Sequence, residues 1–454
     1  MRLHRVALGA LTSIAAILPA TLSACSDDPQ RVLVEDAGDE AFIDAAVPET
    51  GPTGEAGPRD ADVVDLPPRK IECAVSPCVI EIATAERSTC ALLSDGTVRC
   101  WGSNDYGQLG RGPIDADVDD APAPVANLSK VTQLSSGANG YCARAEDGVV
   151  ACWGDNQAGQ LGPDDTGATS SDVPRAITGL PKARAAFMGE GIACAALEAG
   201  DVMCWGRSSS GRIPALHDAG EDVVPPTKID LGGHKIVSIA PGRTAIVALS
   251  EDGTLLSWGR RSRPQTEKVN TLGREVALDY AAPGPLLSPE RATLLGGWGE
   301  AATAAGGGAA FRWGVLVDQR GPVLPEPVPF ATSAKAQWIS IGPSAQFCAV
   351  LSDESVRCIG FNNYGQLGTG DFDAVQVVPA KVAELPGVPA RVATSGYHAC
   401  AVLVTGAAYC WGLNSRGQLG TGDFSLRTTP TPVRFTPCSG PASSSSLLRS
   451  RSCP

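Results

Sequence analysis

The spacing of the thiols stands out among the potentially reactive side chains of this 454-residue chain. Ten of its 15 cysteines form five pairs whose members stand ten residues apart. These are Cys90 with Cys100, Cys142 with Cys152, Cys194 with Cys204, Cys348 with Cys358, and Cys400 with Cys410. A cysteine can serve as a nucleophile, a metal ligand or half of a disulfide. A nucleophilic thiolate needs a base beside it. The four histidines, His4, His217, His234 and His398, are far apart in sequence. A zinc site needs ligands at short, paired spacings. Cys73 and Cys78 are separated by four residues, and no second pair has metal-ligand spacing. Neither His-Glu-x-x-His, Gly-x-Ser-x-Gly nor Cys-x-x-Cys occurs. These observations assign no catalytic residue, no metal and no cofactor, so the chain reads as a non-enzyme. The ten-residue spacing then points to disulfides, with ten independent buried thiols as the alternative.

The element that positions each pair is a hairpin. Residues 90–101 read Cys-Ala-Leu-Leu-Ser-Asp-Gly-Thr-Val-Arg-Cys-Trp. A three-residue loop, Ser94-Asp95-Gly96, suits a type I turn closed by a glycine at positive φ. That loop sets Leu93 opposite Thr97 and Cys90 opposite Cys100. Directly opposed Cα atoms stand about 4.5–5.5 Å apart, and a disulfide spans about 4.4–6.8 Å. Around Asp252-Gly253 the same register puts Val247 and Ser257 at the two cysteine positions. Around Gly306-Gly307-Gly308 it predicts Ala302 opposite Arg312. In both units the two cysteines are missing together, as bonded pairs would be.

The hairpins recur. Trp101, Trp153, Trp205 and Trp258 are 52, 52 and 53 residues apart, and Trp313, Ile359 and Trp411 continue the phase. Seven units of about 52 residues fill Ile71 to Pro437, and a period near 50 means an array or a propeller. Short β-rich runs separated by Gly, Pro, Asp and Asn predict an all-β, closed architecture. Each unit cannot bury its faces alone and must pack on its neighbours.

After the first hairpin come Asn104-Asp105-Tyr106-Gly107-Gln108-Leu109-Gly110, matched by 156–162, 362–368 and 414–420. The composite unit resembles the regulator of chromosome condensation repeat. Four copies are near-complete, residues 194–213 are partial, and 247–265 and 302–320 are weak. The resemblance implies a seven-bladed β-propeller over residues 71–437. It implies that Gly-Gln-Leu-Gly is a tight turn burying its leucine, and that His398 packs or caps beside its hairpin. The spacing of the ring ends predicts one shared blade, built from Cys78 to Ala83 and Pro432 to Phe435.

Residues 1–25 read as an export signal. Arg2 and Arg5 precede an apolar run from Val6 to Leu18, and Leu22-Ser23-Ala24-Cys25 looks like a bacterial lipobox with Cys25 as the lipid attachment site. An ordinary signal peptide is the alternative. Residues 26–70 carry twelve acidic and four basic side chains and a Gly-Pro-Thr-Gly-Glu-Ala-Gly-Pro run, the composition of a disordered acidic tether. Residues 438–454 read as a flexible tail. These segments predict a lipid-anchored protein of the bacterial cell envelope, at the outer membrane. An oxidising compartment agrees with the paired cysteines. Cys73, Cys78, Cys438 and Cys453 remain, with three possible connectivities. A Cys438 bridge to the first strand and a local bridge between Cys73 and Cys78 stand as alternatives.

Net charge is −13, and no basic stripe is present, which argues against nucleic acid. The four aspartates of Asp115 to Asp120 read as a solvated loop, and the repeated Thr-Gly-Asp-Phe at 369–372 and 421–424 as loop structure. The loops Pro113–Pro122, Pro163–Val173 and His217–Pro225 differ between units, and variable loops on a rigid scaffold are where recognition resides. The expected function is a membrane-anchored binding or scaffold module. Its partner is an unidentified protein or surface ligand, a glycan included, and the lipid bilayer is met through acylated Cys25. Propeller-type β-lactamase inhibitors, which use the same repeat, supply the fold analogy. Nucleotide exchange on a small GTPase, the activity of the family's namesake, and an enzyme with a ring-centre site are the alternatives.

Overall fold

The computed structural model describes residues 67–435 apart from 114–118, 164–166, 209–210, 215–222, 244, 261–279, 286–290, 299–300, 307–308, 316–322, 331, 343–345 and 374. Cys25, the tether up to residue 66, Cys438, Cys453 and the tail lie outside the described residues. The described chain forms 28 strands, numbered β1 to β28 in chain order. They make seven four-stranded antiparallel sheets, each of four consecutive strands. In the first blade these are β1 (Val79–Thr84), β2 (Ser88–Leu93), β3 (Val98–Gly102) and β4 (Asp119–Pro124). The first strands of the seven blades touch in a closed cycle, the last blade against the first. The chain is therefore an all-β, seven-bladed propeller.

The expected shared blade is not formed. β1 belongs wholly to the first blade, and β28 (Arg427–Pro432) completes the seventh. The reason is local: β1 pairs through a tight turn with β2, and Arg427–Pro432 fills the outer position of its own sheet. Neither end blade has a vacancy to share. A strap of residues 69–78 runs along the last two blades instead. The Arg69 guanidinium donates to the Pro389 carbonyl at 2.9 Å, and the amides of Glu72 and Ala74 donate to Val404 and Thr405 carbonyls at 2.6 and 3.1 Å.

The Asp-Gly hairpins follow the predicted register. The Leu93 N–H donates to the Thr97 carbonyl at 2.9 Å, and Gly96 has φ 76°. Counting back from that bonded pair, Ala91 and Arg99 are the next bonded pair, and Cys90 with Cys100 falls in a narrow, non-bonded one. All five ten-apart pairs face each other directly and are disulfides in the structure. Cys90 is joined to Cys100, Cys142 to Cys152, Cys348 to Cys358 and Cys400 to Cys410, each with Cα atoms 4.1 Å apart. Cys194 is joined to Cys204 at 4.0 Å. These separations are shorter than the 4.4–6.8 Å expected from the sequence, Cys152 and Cys410 included, because each pair occupies the close-set position of its ladder. Cys73 and Cys78 are joined as well, inside the strap.

In the fourth blade Val247 stands opposite Ser257, as read from the sequence. In the fifth, the expected pairing of Ala302 with Arg312 is corrected. Arg312 faces Thr303, and Ala302 faces Trp313. Gly306 pairs with Ala309, so the connection is two residues long instead of three. A run of glycines leaves the turn free to choose its length, whereas Asp-Gly fixes it. The fourth blade's register makes a prediction. Val247→Cys with Ser257→Cys should close a further disulfide there and add about 2–3 kcal/mol of stability. Peptide mass mapping and the urea midpoint check it, and a free thiol pair would contradict the register.

The core lies between blades. Leu92 and Cys100 of the first blade pack with Leu134, Tyr141 and Trp153 of the second. Ile192 and Cys204 of the third pack with Ile239 and Trp258 of the fourth. The Asn-x-x-Gly-Gln-Leu-Gly element latches each seam where it occurs. Its asparagine side-chain oxygen accepts the leucine N–H, from Leu109 to Asn104 at 3.1 Å and from Leu419 to Asn414 at 2.9 Å. Its glutamine carbonyl accepts the indole N–H of the next blade's tryptophan: Trp153 to Gln108 at 3.0 Å, Trp205 to Gln160 at 2.9 Å, Trp411 to Gln366 at 2.9 Å. Trp101 donates to Gln418 at 3.0 Å and so closes the ring. In the third blade Arg212 stands in the glutamine's place, and its carbonyl takes Trp258 at 2.9 Å. The last glycine is required by the same contact, because a Cβ on Gly110 would lie 2.8 Å from the Trp153 ring nitrogen.

Candidate binding faces and the central channel

Two faces and a channel are available for recognition. On one face, each turn between second and third strands meets the link that enters the first strand. The Ser94 amide donates to the Cys78 carbonyl at 2.9 Å, and Val131 to Gly96 at 3.0 Å. The strap of residues 69–78 lies here, so the described chain enters the propeller from this hairpin face. On the opposite face, each turn between first and second strands meets the start of the long loop after the third strand. Ser103 donates to Arg87 at 2.9 Å, and Leu413 to Tyr397 at 2.9 Å. The variable loops predicted as the recognition surface all spring from this second, loop face. Parts of them, including His217 and Asp115 to Asp117, lie outside the described residues.

The described loops are built by their own polar groups. In the sixth blade, the Asn362 amide donates to the Asp371 carboxylate at 2.8 Å, and Thr369 to the same oxygen at 2.6 Å. In the seventh, the Asn414 amide donates to the Asp423 carbonyl at 2.7 Å. The Thr-Gly-Asp-Phe repeat is thus loop architecture, and it leaves Phe372 and Phe424 exposed. Tyr364 and Tyr397 meet edge to face at 5.7 Å beside the seam of these two blades. Arg111 pairs with Asp119, and no group of three metal-ligating side chains occurs among the described residues.

His398 is fully buried at the ring closure. Its ring nitrogens lie 2.8 Å from the hydroxyls of Thr89 and Ser395, and Thr89 also donates to the Gln418 carbonyl at 2.8 Å. Burial pushes its pKa down to about 3. It stays neutral in the fold and holds the seam, which matches its expected packing role. Its contribution to stability is present above its ordinary value of 6.5 and lost as pH falls through 3.

The inner strands enclose a channel cavity of about 310 Å³. Its residues carry no sequence motif, although a polar side chain recurs at one register of the inner strands. Glu81 accepts the Leu134 amide at 3.0 Å. Gln133, one blade on, exchanges bonds with Ala186 at 2.8 and 3.0 Å. At the same register, Trp338 donates to Val392 at 3.0 Å, and the Arg391 guanidinium sits 4.4 Å over the Trp338 ring. Those bonds each cross to the neighbouring blade. Glu81 is half-buried on the channel wall. Burial pushes its pKa up to about 7, against the opposing pull of the Leu134 N–H and the Arg391 charge.

A pH dependence follows. Between pH 4.5 and 7 the folded Glu81 keeps a proton that the unfolded chain has released. Ionising it therefore destabilises the fold as pH rises through that window. Glu81→Gln keeps an acceptor for the Leu134 amide. Its stability advantage over the parent should grow from pH 4.5 to 7 and then level off at about 1–3 kcal/mol. Urea midpoints at several pH values measure the difference, and a pH-independent difference would contradict the assignment.

Comparison with known proteins agrees with this geometry. Two sequence profiles of the regulator of chromosome condensation repeat match the chain, one at residues 79–108, 131–160 and 390–418, the other at 95–143, 147–196, 355–403 and 405–443. The chain is similar to the ultraviolet-B receptor UVR8 of Arabidopsis thaliana, 27% identical over 83% of this chain and 72% of that protein. It is 26% identical to the regulator of chromosome condensation of Mus musculus, over 79% of this chain and 90% of that one. Among solved structures, human WBSCR16 superposes with a TM-score of 0.63 at 18% identity, covering 74% of this chain and 94% of that one. Prp20p of Saccharomyces cerevisiae superposes with a TM-score of 0.62 at 21% identity, covering 80% and 87%. The tryptophan-to-glutamine latches, the seven four-stranded blades and the matched profiles together make this chain a regulator of chromosome condensation repeat protein, a seven-bladed β-propeller.

Proposed function

We propose that this propeller is a lipid-anchored binding module of the bacterial cell envelope that recognises a protein or surface ligand with its loop face. The observation that carries the reading is the opposition of the two faces. The described chain enters along the hairpin face, and the long loops open on the other. An anchor at Cys25, at the far end of an acidic tether, would then leave the loop face free. The six disulfides, together with residues 1–25 read as an export signal, support an oxidising, extracytoplasmic location. Prp20p has been studied for binding Gsp1p and histones, which supports a protein as the ligand class. A photo-crosslinking side chain placed at Phe424 on the loop face, and separately at Val149 on the hairpin face, tests the proposal in intact cells. Adducts from Phe424 alone are expected. Adducts from Val149 alone, or from neither, would overturn it.

Similarity to the mouse regulator of chromosome condensation also supports a second reading, nucleotide exchange on a small GTPase. Nucleotide-release assays with a panel of loaded GTPases distinguish it. Acceleration at catalytic protein concentrations would replace the binding-module reading.

A further inference from the structure

We propose that the outer edge of the sixth blade is a self-association surface, at which β24 (Val375–Lys381) of one copy meets β24 of a second copy in antiparallel alignment. Among the described residues, ten large hydrophobic side chains are exposed, and four of them fall within residues 372–378. Phe372 is 56% exposed, Val375 36%, Val377 70% and Val378 67%. Solvent-exposed apolar side chains concentrated on one sheet edge mark an interaction surface.

Other outer strands are guarded. The first blade's reads Asp-Asp-Ala-Pro-Ala-Pro, the second's Ser-Ser-Asp-Val-Pro-Arg-Ala and the seventh's Arg-Thr-Thr-Pro-Thr-Pro. Prolines and polar side chains keep such edges from pairing. β24 instead presents Val375-Gln376-Val377-Val378 ahead of its single proline, Pro379.

Charge selects the partner. Asp373 and Lys381 stand four residues on either side of Val377. Antiparallel alignment about Val377 brings the Asp373 end of each copy towards the Lys381 end of the other, twice. Parallel alignment in register would set Asp373 against Asp373 and Lys381 against Lys381, which is repulsive. The surface is therefore complementary to itself across a two-fold axis, and such a contact closes at a dimer. Asp373 is steadied at the head of the strand by the Gln376 amide at 3.0 Å. The Lys381 charge also acts on Asp353 of its own blade, a competition that the partner's Asp373 must match.

Pro379 lacks an N–H, and the strand is irregular between its pairings with Cys358 and Gly360. A continuous backbone ladder across the two copies is thereby prevented, and the contact rests on side chains. A seven-residue strand falls short of the roughly 800 Å² per partner of a standard interface, so the dimer is weak and reversible.

Sedimentation equilibrium of the full-length chain carrying Cys25→Ser, so that no acyl group drives association, tests this. A concentration-dependent monomer–dimer equilibrium is expected. Val377→Asp should weaken it by about tenfold or more, because each copy would bring an unpaired carboxylate to the apolar centre of the contact. Val377 is exposed, so folding should be unaffected, and near-ultraviolet circular dichroism of the buried tryptophans verifies that. Asp373→Lys should weaken the dimer, and adding Lys381→Asp should restore it. A monomer across the whole concentration range would overturn the proposal. So would a dimer indifferent to Val377→Asp, which would place the contact elsewhere.

Discussion

Trp101→Ala is expected to open the ring at the junction of its first and last blades. Trp101 is fully buried, donates to the Gln418 carbonyl at 3.0 Å and packs edge to face with Phe435 at 6.0 Å. Removing a buried tryptophan costs about 3–5 kcal/mol. Leaving the Gln418 carbonyl without its donor adds about 1–3 kcal/mol. At every other seam the blades are also joined by the chain itself, which limits how far they can separate. Here no link follows, and the junction is held by side chains, by the strap, by the bond between Thr89 and His398, and by backbone bonds from Val79 to Gly406 and from Gly422 to Asp120. The same change at Trp205 should lower global stability by a similar amount without creating a local opening. Limited proteolysis separates the two outcomes, because only Trp101→Ala should detach the strap from the seventh blade and so speed cleavage near Val75, which is already solvent-exposed. Trp101→Phe, which keeps most of the apolar surface and loses the donor, should fall between parent and alanine variant. Equal proteolysis of the Trp101 and Trp205 variants would contradict a special role for the closure.

Reduction of the disulfides is expected to abolish refolding. Each ten-apart bridge closes a short loop and contributes about 2–3 kcal/mol through the unfolded chain. The five sit in different blades, so their contributions should add. Their total reaches the whole stability of an ordinary domain, about 5–15 kcal/mol. Dilution from urea should return native tryptophan fluorescence when the bridges are intact and fail to do so in excess reductant. Recovery of the same urea midpoint without the bridges would show that the packing between blades suffices alone. Removing a single bridge, with Cys194→Ala and Cys204→Ala together, should lower the midpoint without preventing folding.

The parts of this fold legible in the sequence are those under short-range constraint. Asp-Gly fixes a turn, and the turn fixes Cys90 opposite Cys100. The same arithmetic sets Cys142 opposite Cys152, and the repeat distance fixes the blade count. Cys400 opposite Cys410 needs no aspartate, because Thr405-Gly406 keeps the loop at three residues, with Gly406 at φ 79°. Where the glycines run together, at Gly306-Gly307-Gly308, the register reading slips by one residue. The ring closure is misread from spacing because spacing counts units without showing which sheet a terminal strand joins. The tryptophan latch is half visible. Trp-Gly and Gly-Gln-Leu-Gly recur in phase, but the bond runs from Trp153 back to Gln108, a step between blades that local patterning does not encode. The channel ring of Glu81, Gln133, Trp338 and Arg391 escapes the sequence because four different side chains occupy it. The loop face is the least legible part, since beyond the repeated Thr-Gly-Asp-Phe its loops obey no period and their chemistry is set by whatever they meet.

The assignment of four consecutive strands to each blade has a kinetic consequence. No blade waits for a distant segment, so each can form as soon as its own stretch of about 50 residues is free to fold, in order along the chain. Contacts within a blade are local, and low contact order favours rapid folding. The bridges share this property, because each joins two strands of one hairpin and can be oxidised before the next blade has folded. Only the ring closure needs both ends of the propeller: the meeting of Trp101 with Gln418 across a separation of 317 residues, and of the strap with the last two blades. Until then the first blade presents an indole and an apolar flank that nothing covers. That interval, between the first blade's folding and the last blade's arrival, is when the chain is most exposed to misassociation.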